Sequence, residues 1–301
     1  MKDFIPPSVR ARLRSLRLLS RRAVGTHGIG LHNSRSRGAG LEFAQYRAYE
    51  PGDELRQVDW KLYARSDRFF VREAERESPL AVWLLIDATA SMNQCDAARP
   101  DWSRLDAAKA LAACVAELAL RQGDRFGLIA LREDGVRLVA PATGARQRDR
   151  LWLELHALSA QGAWPAAQRL RPLWERIAAG DLVLMLGDGF DDGSDEGAVA
   201  IAERLASARR EVLSIRILTA EERDFPFRGG YRFRDPETGE ELLGDGAALR
   251  DEFLVRFAAA RKALDARLDA SGIRHTEYVL DEALDLPLRR LFGARDMAEP
   301  A

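Results

Sequence analysis

Cysteine is almost absent: Cys95 and Cys114 stand alone in 301 residues. No disulfide framework can therefore hold the fold, and their spacing matches no common zinc pattern, which favours a reducing cytoplasm. Histidine is equally sparse. His27, His32, His156 and His275 fall on different expected elements, which leaves no histidine metal cluster and no acid–base dyad. Lysine supplies only four of the 46 basic residues, a bias that reads as codon composition rather than chemistry. Long apolar runs are missing too. Leu80 to Ile86 is followed by Asp87 and Ser91, and Ala107 to Leu120 is interrupted by Lys109 and Glu117. Neither reaches the roughly 18 residues of a transmembrane segment. Leu13, Leu16, Leu18 and Leu19 are interleaved with arginines and make no signal core. There is no Gly-x-x-x-x-Gly-Lys-Ser/Thr loop, Gly28-x-Gly30 follows no strand, and no Gly-x-Ser-x-Gly elbow occurs, so intrinsic nucleotide binding and that hydrolase class are unsupported.

What is present is a chain with 47% hydrophobic and 31% charged residues, the composition of a soluble globular protein long enough to bury a sizeable core. Its net charge of -1 conceals an asymmetry, because residues 1–40 carry nine cations against the single carboxylate of Asp3. Such an arm reads as an amphipathic helix laid across the acidic body. Nucleic acid, anionic lipid or an acidic partner are the alternatives, and no nucleic-acid fold accompanies the arm.

From residue 80 onward, short β-rich runs alternate with helical patterns. Leu80–Ile86 reads as a buried strand, and Ser103 with Asp106 opens a helix in which Leu105, Ala108, Ala112, Val115 and Ala119 share a face. Arg125–Leu131 is the next strand, paired across Glu133-Asp134-Gly135 with Val136–Ala140. Helices are expected over Arg146–Leu158, Ala166–Ala179, Glu196–Arg209 and Asp251–Ala270, and strands over Leu182–Leu186, Val212–Leu218 and His275–Leu280. This order predicts a doubly wound, mostly parallel α/β sheet. Tyr231–Leu243, alternating around Asp235-Pro236-Glu237-Thr238-Gly239, reads as an inserted β-hairpin. Residues 40–79 show no helical period of useful length and read as an irregular or stranded layer on the sheet edge. Gly25–Gly40 looks like a linker.

Ligands of doubly wound sheets sit at the carboxyl ends of strands. Two loops there carry oxygen ligands: Asp87-Ala-Thr89-Ala-Ser91, and Gly187-Asp188-Gly189-Phe190-Asp191-Asp192. Carboxylates and hydroxyls spaced one apart can face a single hard cation such as Mg²⁺. The same residues can also serve as helix caps and turn formers, and both readings stay open here.

Gly40-Leu-Glu-Phe43, Tyr46-Arg47, Tyr49, Pro51-Gly52-Asp53, Arg56, Val58-Asp59-Trp60, Ala64-Arg65 and Val71-Arg72-Glu73, followed by the Asp87 loop, resemble the signature of the domain-of-unknown-function 58 family. The resemblance runs from about Arg35 to Phe292, and the Asp235–Gly239 block is similar to the family's C-terminal part. It implies a von Willebrand factor A-like domain, association with a MoxR-type AAA+ ATPase and other von Willebrand factor A-domain proteins, and work in assembly or maturation of clients. It also implies a metal-ion-dependent adhesion site of the form Asp-x-Ser-x-Ser holding Mg²⁺ or Mn²⁺. Asp87 and Ser91 match, Thr89 replaces a serine but keeps the hydroxyl, and Asp188 matches a later aspartate. The loop expected to add a threonine, Gln161-Gly-Ala163-Trp-Pro165, has no hydroxyl.

An enzymatic alternative sets the Asp87 and Asp188 loops beside those of haloacid dehalogenase-like phosphohydrolases, with Asp87 as nucleophile and Asp188 with Asp191 holding Mg²⁺. That chemistry needs a cation at the phosphoryl group, and the only lysine between the loops, Lys109, is expected on a helix surface. Arg47, Gly52, Asp53, Arg56, Asp59, Trp60 and Arg65 make the remaining candidate set, read as a contact surface or as a bracing network of arginine forks and carboxylates. Trp60 and Tyr49 are expected as core or loop anchors. The expected organisation is a basic arm and linker over 1–39, a signature segment over 40–79 packed on the main domain, the main domain over 80–293, and a tail over 294–301.

Overall fold

The computed structural model describes residues 3–18, 43–49, 58–74, 79–189 and 197–293. The expected linker at Gly25–Gly40 lies outside these residues, as do Gly52, Asp53, Arg56, Asp191, Asp192 and the tail. Two compact units emerge, Met1–Thr26 with Leu80–Ala301, and His27–Pro79. In the smaller unit, β1 (Phe43–Ala48) pairs antiparallel with β2 (Phe70–Ala74), and α2 (Trp60–Ser66) lies between them in sequence. The label α1 belongs to Pro7–Arg12 in the larger unit. The helix α2 was not expected, because seven residues are too few to show a period. Asp59 starts it as N-cap, accepting from Lys61 N at 2.9 Å and Leu62 N at 3.1 Å.

In the larger unit the chain runs β3 (Ala81–Asp87), α3 (Arg104–Gln122), β4 (Arg125–Arg132), β5 (Gly135–Ala142), α4 (Ala145–Ala157), α5 (Ala167–Trp174), β6 (Leu182–Gly187), α6 (Ala198–Ser207) and β7 (Glu211–Leu218). It continues through α7 (Ala220–Asp224), the hairpin β8 (Gly230–Arg234) and β9 (Glu241–Asp245), α8 (Gly246–Ala270), β10 (Arg274–Val279) and α9 (Leu286–Phe292). One six-stranded sheet has the order β10-β7-β6-β3-β4-β5, parallel except for the hairpin-linked β5. This is the expected doubly wound α/β sheet. Every residue of β3 is buried, as a central parallel strand covered on both faces requires. Successive side chains of β3 feed opposite layers. Val82, Leu84 and Ile86 join a cluster with α3, α4 and α9, while Trp83 and Leu85 join one with α5, α6 and the end of α8.

Several boundaries moved for local reasons. The helix expected to reach Ala179 stops at Trp174, where Arg210 caps the carbonyls of Trp174 and Ile177 in place of a continuing helix. α8 begins at Gly246 rather than Asp251, because Asp245 accepts from Ala247 N and Ala248 N. The hairpin turn forms as expected, with Asp235 Oδ1 accepting from Glu237 N and Thr238 N and with Gly239 at φ +75°.

α3 is buried nearly all round, not on one face. Residues 3–18 account for this. Ile5, Val9, Leu13, Leu16 and Leu18 are buried in the same cluster as the α3 side chains, and Arg12 pairs with the buried Asp285 at 2.7 Å. Arg121 donates to the carbonyls of Leu13 and Arg14, and Gln122 accepts from Leu18 N at 2.7 Å while donating to Leu18 O at 3.1 Å. The first part of the basic arm is thus an amphipathic strap with its apolar side in the core. Gln122→Ala, which removes both bonds to Leu18, is expected to cost about 1–2 kcal/mol in chemical denaturation. A cost near zero would mean that this part of the strap adds nothing to stability.

Candidate metal and ligand site

The strand order reverses direction between β3 and β6, and loops diverge there to leave a crevice. Ile86 pairs with Leu186, so Asp87 and Asp188 leave adjacent strand ends. Gly187 makes room for them: a Cβ there would stand 3.1 Å from Asp87 Cβ and 3.4 Å from its Oδ2. The turn after Asp188 uses Gly189 at φ +73°.

Asp87 Oδ1 accepts from Thr89 N at 2.9 Å and from Thr89 Oγ1 at 2.8 Å, and Thr89 Oγ1 lies 3.0 Å from Ser91 Oγ. The structure therefore brings together the four residues singled out in the two loops. Asp87 is 8% exposed, and among the described residues no cation forms an ion pair with it. Burial, reinforced by the charge of Asp188, pushes its carboxyl up to about 7, against the lowering effect of the two Thr89 hydrogen bonds. The loop expected to supply a threonine is in place as well. Gln161 N donates to Ala88 O at 2.9 Å, and Ala90 N donates to Gly162 O at 2.7 Å. It brings backbone but no hydroxyl, since Ala163 stands where the threonine is expected.

Arg104 was missed by the sequence reading. It is the first residue of α3, placed by the Ser103–Asp106 capping box, and it is fully buried. Its Nη1 donates to Asp188 Oδ2 and to Ser91 O, both at 3.2 Å, and its Nη2 pairs with Glu222 Oε1. Glu222 is fixed in turn by a capping box with Thr219, whose N and Oγ1 donate to Glu222 Oε2 at 2.9 and 3.0 Å. One guanidinium thus ties the loops after β3, β6 and β7. The Thr219-x-x-Glu222 pattern just after a strand was the available signal.

Lys109 is not on a surface. It is 9% exposed, and its Nζ donates to Leu158 O at 2.6 Å, so this ammonium is committed to a backbone carbonyl. The cation that the phosphohydrolase reading lacked is Arg104, and it is already held by Asp188 and Glu222.

Among the described residues no three His, Cys, Asp or Glu side chains gather as a metal-holding group. A hard cation needs no such group if hydroxyls serve. Two neighbouring ligands of an octahedral ion with bonds of about 2.0–2.1 Å are about 3 Å apart, which is the Thr89–Ser91 spacing. With Arg104 offsetting one negative charge and no cation among the described residues paired with Asp87, the donor set fits a divalent ion. On the sheet face toward α6 and α8, Asp87 and Asp188 also edge a cleft floored by Leu85, Met185, Val199 and Leu264, with Trp164 and Arg216 at its sides.

Of the remaining candidates, Asp59 is a buried helix cap, Arg65 is exposed, and Trp60, expected as an anchor in the core or a loop, is 56% exposed. No residue of α2 is buried. The backbone of Arg47 lies in β1, paired with Val71. No helix among the described residues is long and apolar enough to cross a membrane.

The family described as "Protein of unknown function DUF58" matches residues 45–263. Uncharacterized proteins of Mycobacterium bovis and Mycobacterium tuberculosis are 31% identical over 280 residues, covering 88% of this chain and 82% of theirs. Among solved structures, the von Willebrand factor A domain of SpRpn10 is similar at 11% identity and a TM-score of 0.42, covering 71% of this chain and 95% of that one. The conserved hypothetical protein BatB from Bacteroides thetaiotaomicron is similar at 14% identity and a TM-score of 0.37, covering 64% and 98%.

Proposed function

The chain belongs to the DUF58 family, and from that membership and the site geometry we propose that it is a non-enzymatic protein-interaction module. Asp87, Thr89, Ser91 and Asp188 hold Mg²⁺ or Mn²⁺, and the site takes a carboxylate from a partner. By the family resemblance, the partners include a MoxR-type AAA+ ATPase and other von Willebrand factor A-domain proteins, in cytoplasmic assembly or maturation of clients.

The observation that carries this reading is the hydroxyl pair 3.0 Å apart beside a buried carboxylate that no described cation pairs. When bound, the ion supplies a Lewis-acidic centre that accepts a carboxylate oxygen. The chain's own residues prepare the place. Thr89 holds Asp87 Oδ1 by its amide and hydroxyl, and Gly187 leaves space beside Oδ2. Arg104 holds Asp188 in register with the Ser91 backbone.

Affinity capture from native lysate in Mg²⁺ and in chelator, read by mass spectrometry, tests the function. An AAA+ ATPase is expected to be enriched in Mg²⁺, lost in chelator and lost with Asp188→Asn, which removes a charge but keeps an acceptor for Arg104. Absence of any AAA+ ATPase in the Mg²⁺ arm defeats the partner assignment. In a parallel melt, cation at ten times its Kd stabilises by about 1.4 kcal/mol, and Ala163→Thr is expected to lower that Kd. Asp87-dependent release of phosphate from an aryl phosphate would overturn the non-enzymatic reading.

A further inference from the structure

The hairpin inserted between α7 and α8 is placed by α8, whose height above the sheet can be read from side-chain contacts. Gly187, the last residue of β6, pairs with Arg216, and Arg216 pairs with Glu277. Glu277 in turn accepts from Arg261 Nε at 2.8 Å, so Arg261 marks the point on α8 level with the end of β6, beside Asp87 and Asp188. The part of α8 before it, from Gly246 to Ala260, therefore rises about 22 Å beyond that edge of the sheet.

From that height β8 comes back down. The hairpin base sits at the top of α8, where Gly246 N donates to Gly229 O at 2.7 Å. Further along β8, the Phe233 ring stacks on Phe225 at 5.9 Å, and Phe225 lies 4.5 Å from Phe253 on α8. The step from Gly246 to Phe253 on the helix and the step from Gly230 to Phe233 on the strand both cover about 10 Å, so the hairpin runs alongside α8 toward the sheet. About 12 Å of helix then remain to Arg261, a distance that the chain from Phe233 to Glu237 spans. The tip thus arrives over the crevice. Its charge is felt there: after burial and Asp188, Glu237 is a further influence raising the Asp87 carboxyl. The Asp235 turn shapes the tip in advance, and Glu237 stands exposed on it. At the base, a Cβ on Gly229 or Gly230 would meet nothing within 4 Å, which leaves the hairpin room to tilt.

We propose that Glu237 is an internal ligand of the metal site: with Mg²⁺ or Mn²⁺ on the Asp87 and Asp188 loops, the hairpin tip sets the Glu237 carboxylate on the coordination position that a partner's carboxylate takes, and the partner must displace it. This rests on the metal-site reading of the proposed function and adds its regulation. Glu237 is not gathered with the two aspartates beforehand, so the tip closes only onto a bound cation, for which a carboxylate oxygen is the preferred kind of ligand. A position is open for it, because the loop at Ala163 brings no hydroxyl. A carboxylate tethered in the same chain acts at high effective concentration. A free carboxylate therefore displaces it poorly, and the site selects partners that add contacts of their own.

Binding of Mn²⁺ to the full chain, followed by electron paramagnetic resonance and by water-proton relaxation, tests it. Wild type is expected to hold Mn²⁺ with one bound water fewer than Glu237→Gln, and the variant to bind the ion about tenfold or more weakly. Acetate is expected to remove one water from Mn²⁺ on the variant and none on wild type, where it replaces Glu237. Glu240→Gln, which removes the next carboxylate along the turn, is expected to match wild type. Both glutamates are exposed, so equal melting of the three chains in chelator separates binding from folding. Equal water counts in wild type and Glu237→Gln overturn the assignment even where affinity falls, since a distant charge changes affinity alone. A difference in water count that vanishes on dilution of the protein overturns it in favour of a tip that serves a second copy of the chain. Mn²⁺ binding that is lost with Asp188→Asn but indifferent to Glu237→Gln overturns this inference and leaves the metal site standing. Absence of Mn²⁺ binding to every chain defeats the metal site itself, and this inference with it.

Discussion

Arg104→Met is expected to lower the unfolding free energy by about 3–5 kcal/mol, the range for removing one partner of a buried ion pair. Little of that is lost attraction. Most is the cost of leaving Asp188, and in part Glu222, as carboxylates without their counter-ion in a site closed to water. Methionine keeps the length and packing of the side chain, so the cavity contribution is small. Arg104→Lys should recover only part of the loss, because a single ammonium cannot span Asp188, Glu222 and Ser91 O as the planar fork does. A cycle with Asp188→Asn separates the causes. The double variant should lose less than the two single losses together, since the neutral amide no longer needs the guanidinium. Urea denaturation reads each value, and a loss below about 1 kcal/mol for Arg104→Met would show that the three contacts are incidental.

Asp87→Asn is expected to stabilise the protein above neutral pH in the presence of chelator, and to leave it unchanged near pH 4. Asparagine keeps the oxygen that accepts both Thr89 hydrogen bonds, so charge is the main difference. The folded carboxyl is raised from 3.8 to about 7. Below pH 3.8 the group is protonated folded and unfolded, and contributes no difference. Between that value and about 7 the unfolded chain gives up the proton while the folded chain keeps it, so stability falls as pH rises, and above 7 the loss is complete. At 1.36 kcal/mol per pKa unit the full difference is on the order of 4 kcal/mol. Melting temperatures across pH 4 to 8.5 would show the wild-type curve descending away from that of the variant. Parallel curves would mean that Asp87 is charged and balanced at all these pH values. Saturating Mg²⁺ should draw the two together, because a bound cation takes the place of the proton.

The sheet was legible because its signals are local and repeated. Leu80–Ile86, Leu182–Leu186 and Val212–Leu218 are short β-rich runs between helical patterns, and a parallel order follows from the alternation. The two acidic loops were legible because they fall at strand ends. Arg104 was not, since an arginine after a serine cap looks like any solvated first-turn residue, and only the crossing of three loops gives it Asp188, Glu222 and Ser91 O together. Lys109 misled for the opposite reason. Its place on α3 looked exposed until a second layer, residues 3–18 and the end of α4, closed over that helix. Helix α2 was hidden by its length, and so was the exposure of Trp60, an aromatic residue whose composition alone suggests a core.

The strap has a consequence for the order in which the molecule can be completed. Arg12 bonds Asp285, 273 residues further along the chain. Ile5, Val9 and Leu13 share a cluster with Leu288 and Phe292. During synthesis at about 5–20 residues per second, these early apolar side chains wait on the order of 15–50 s for the segment that completes their burial. The α3 contacts come sooner, at Arg121 and Gln122. The nascent chain therefore passes through a stage in which the strap is anchored on one side only, and the much later α9 finishes the packing of α1.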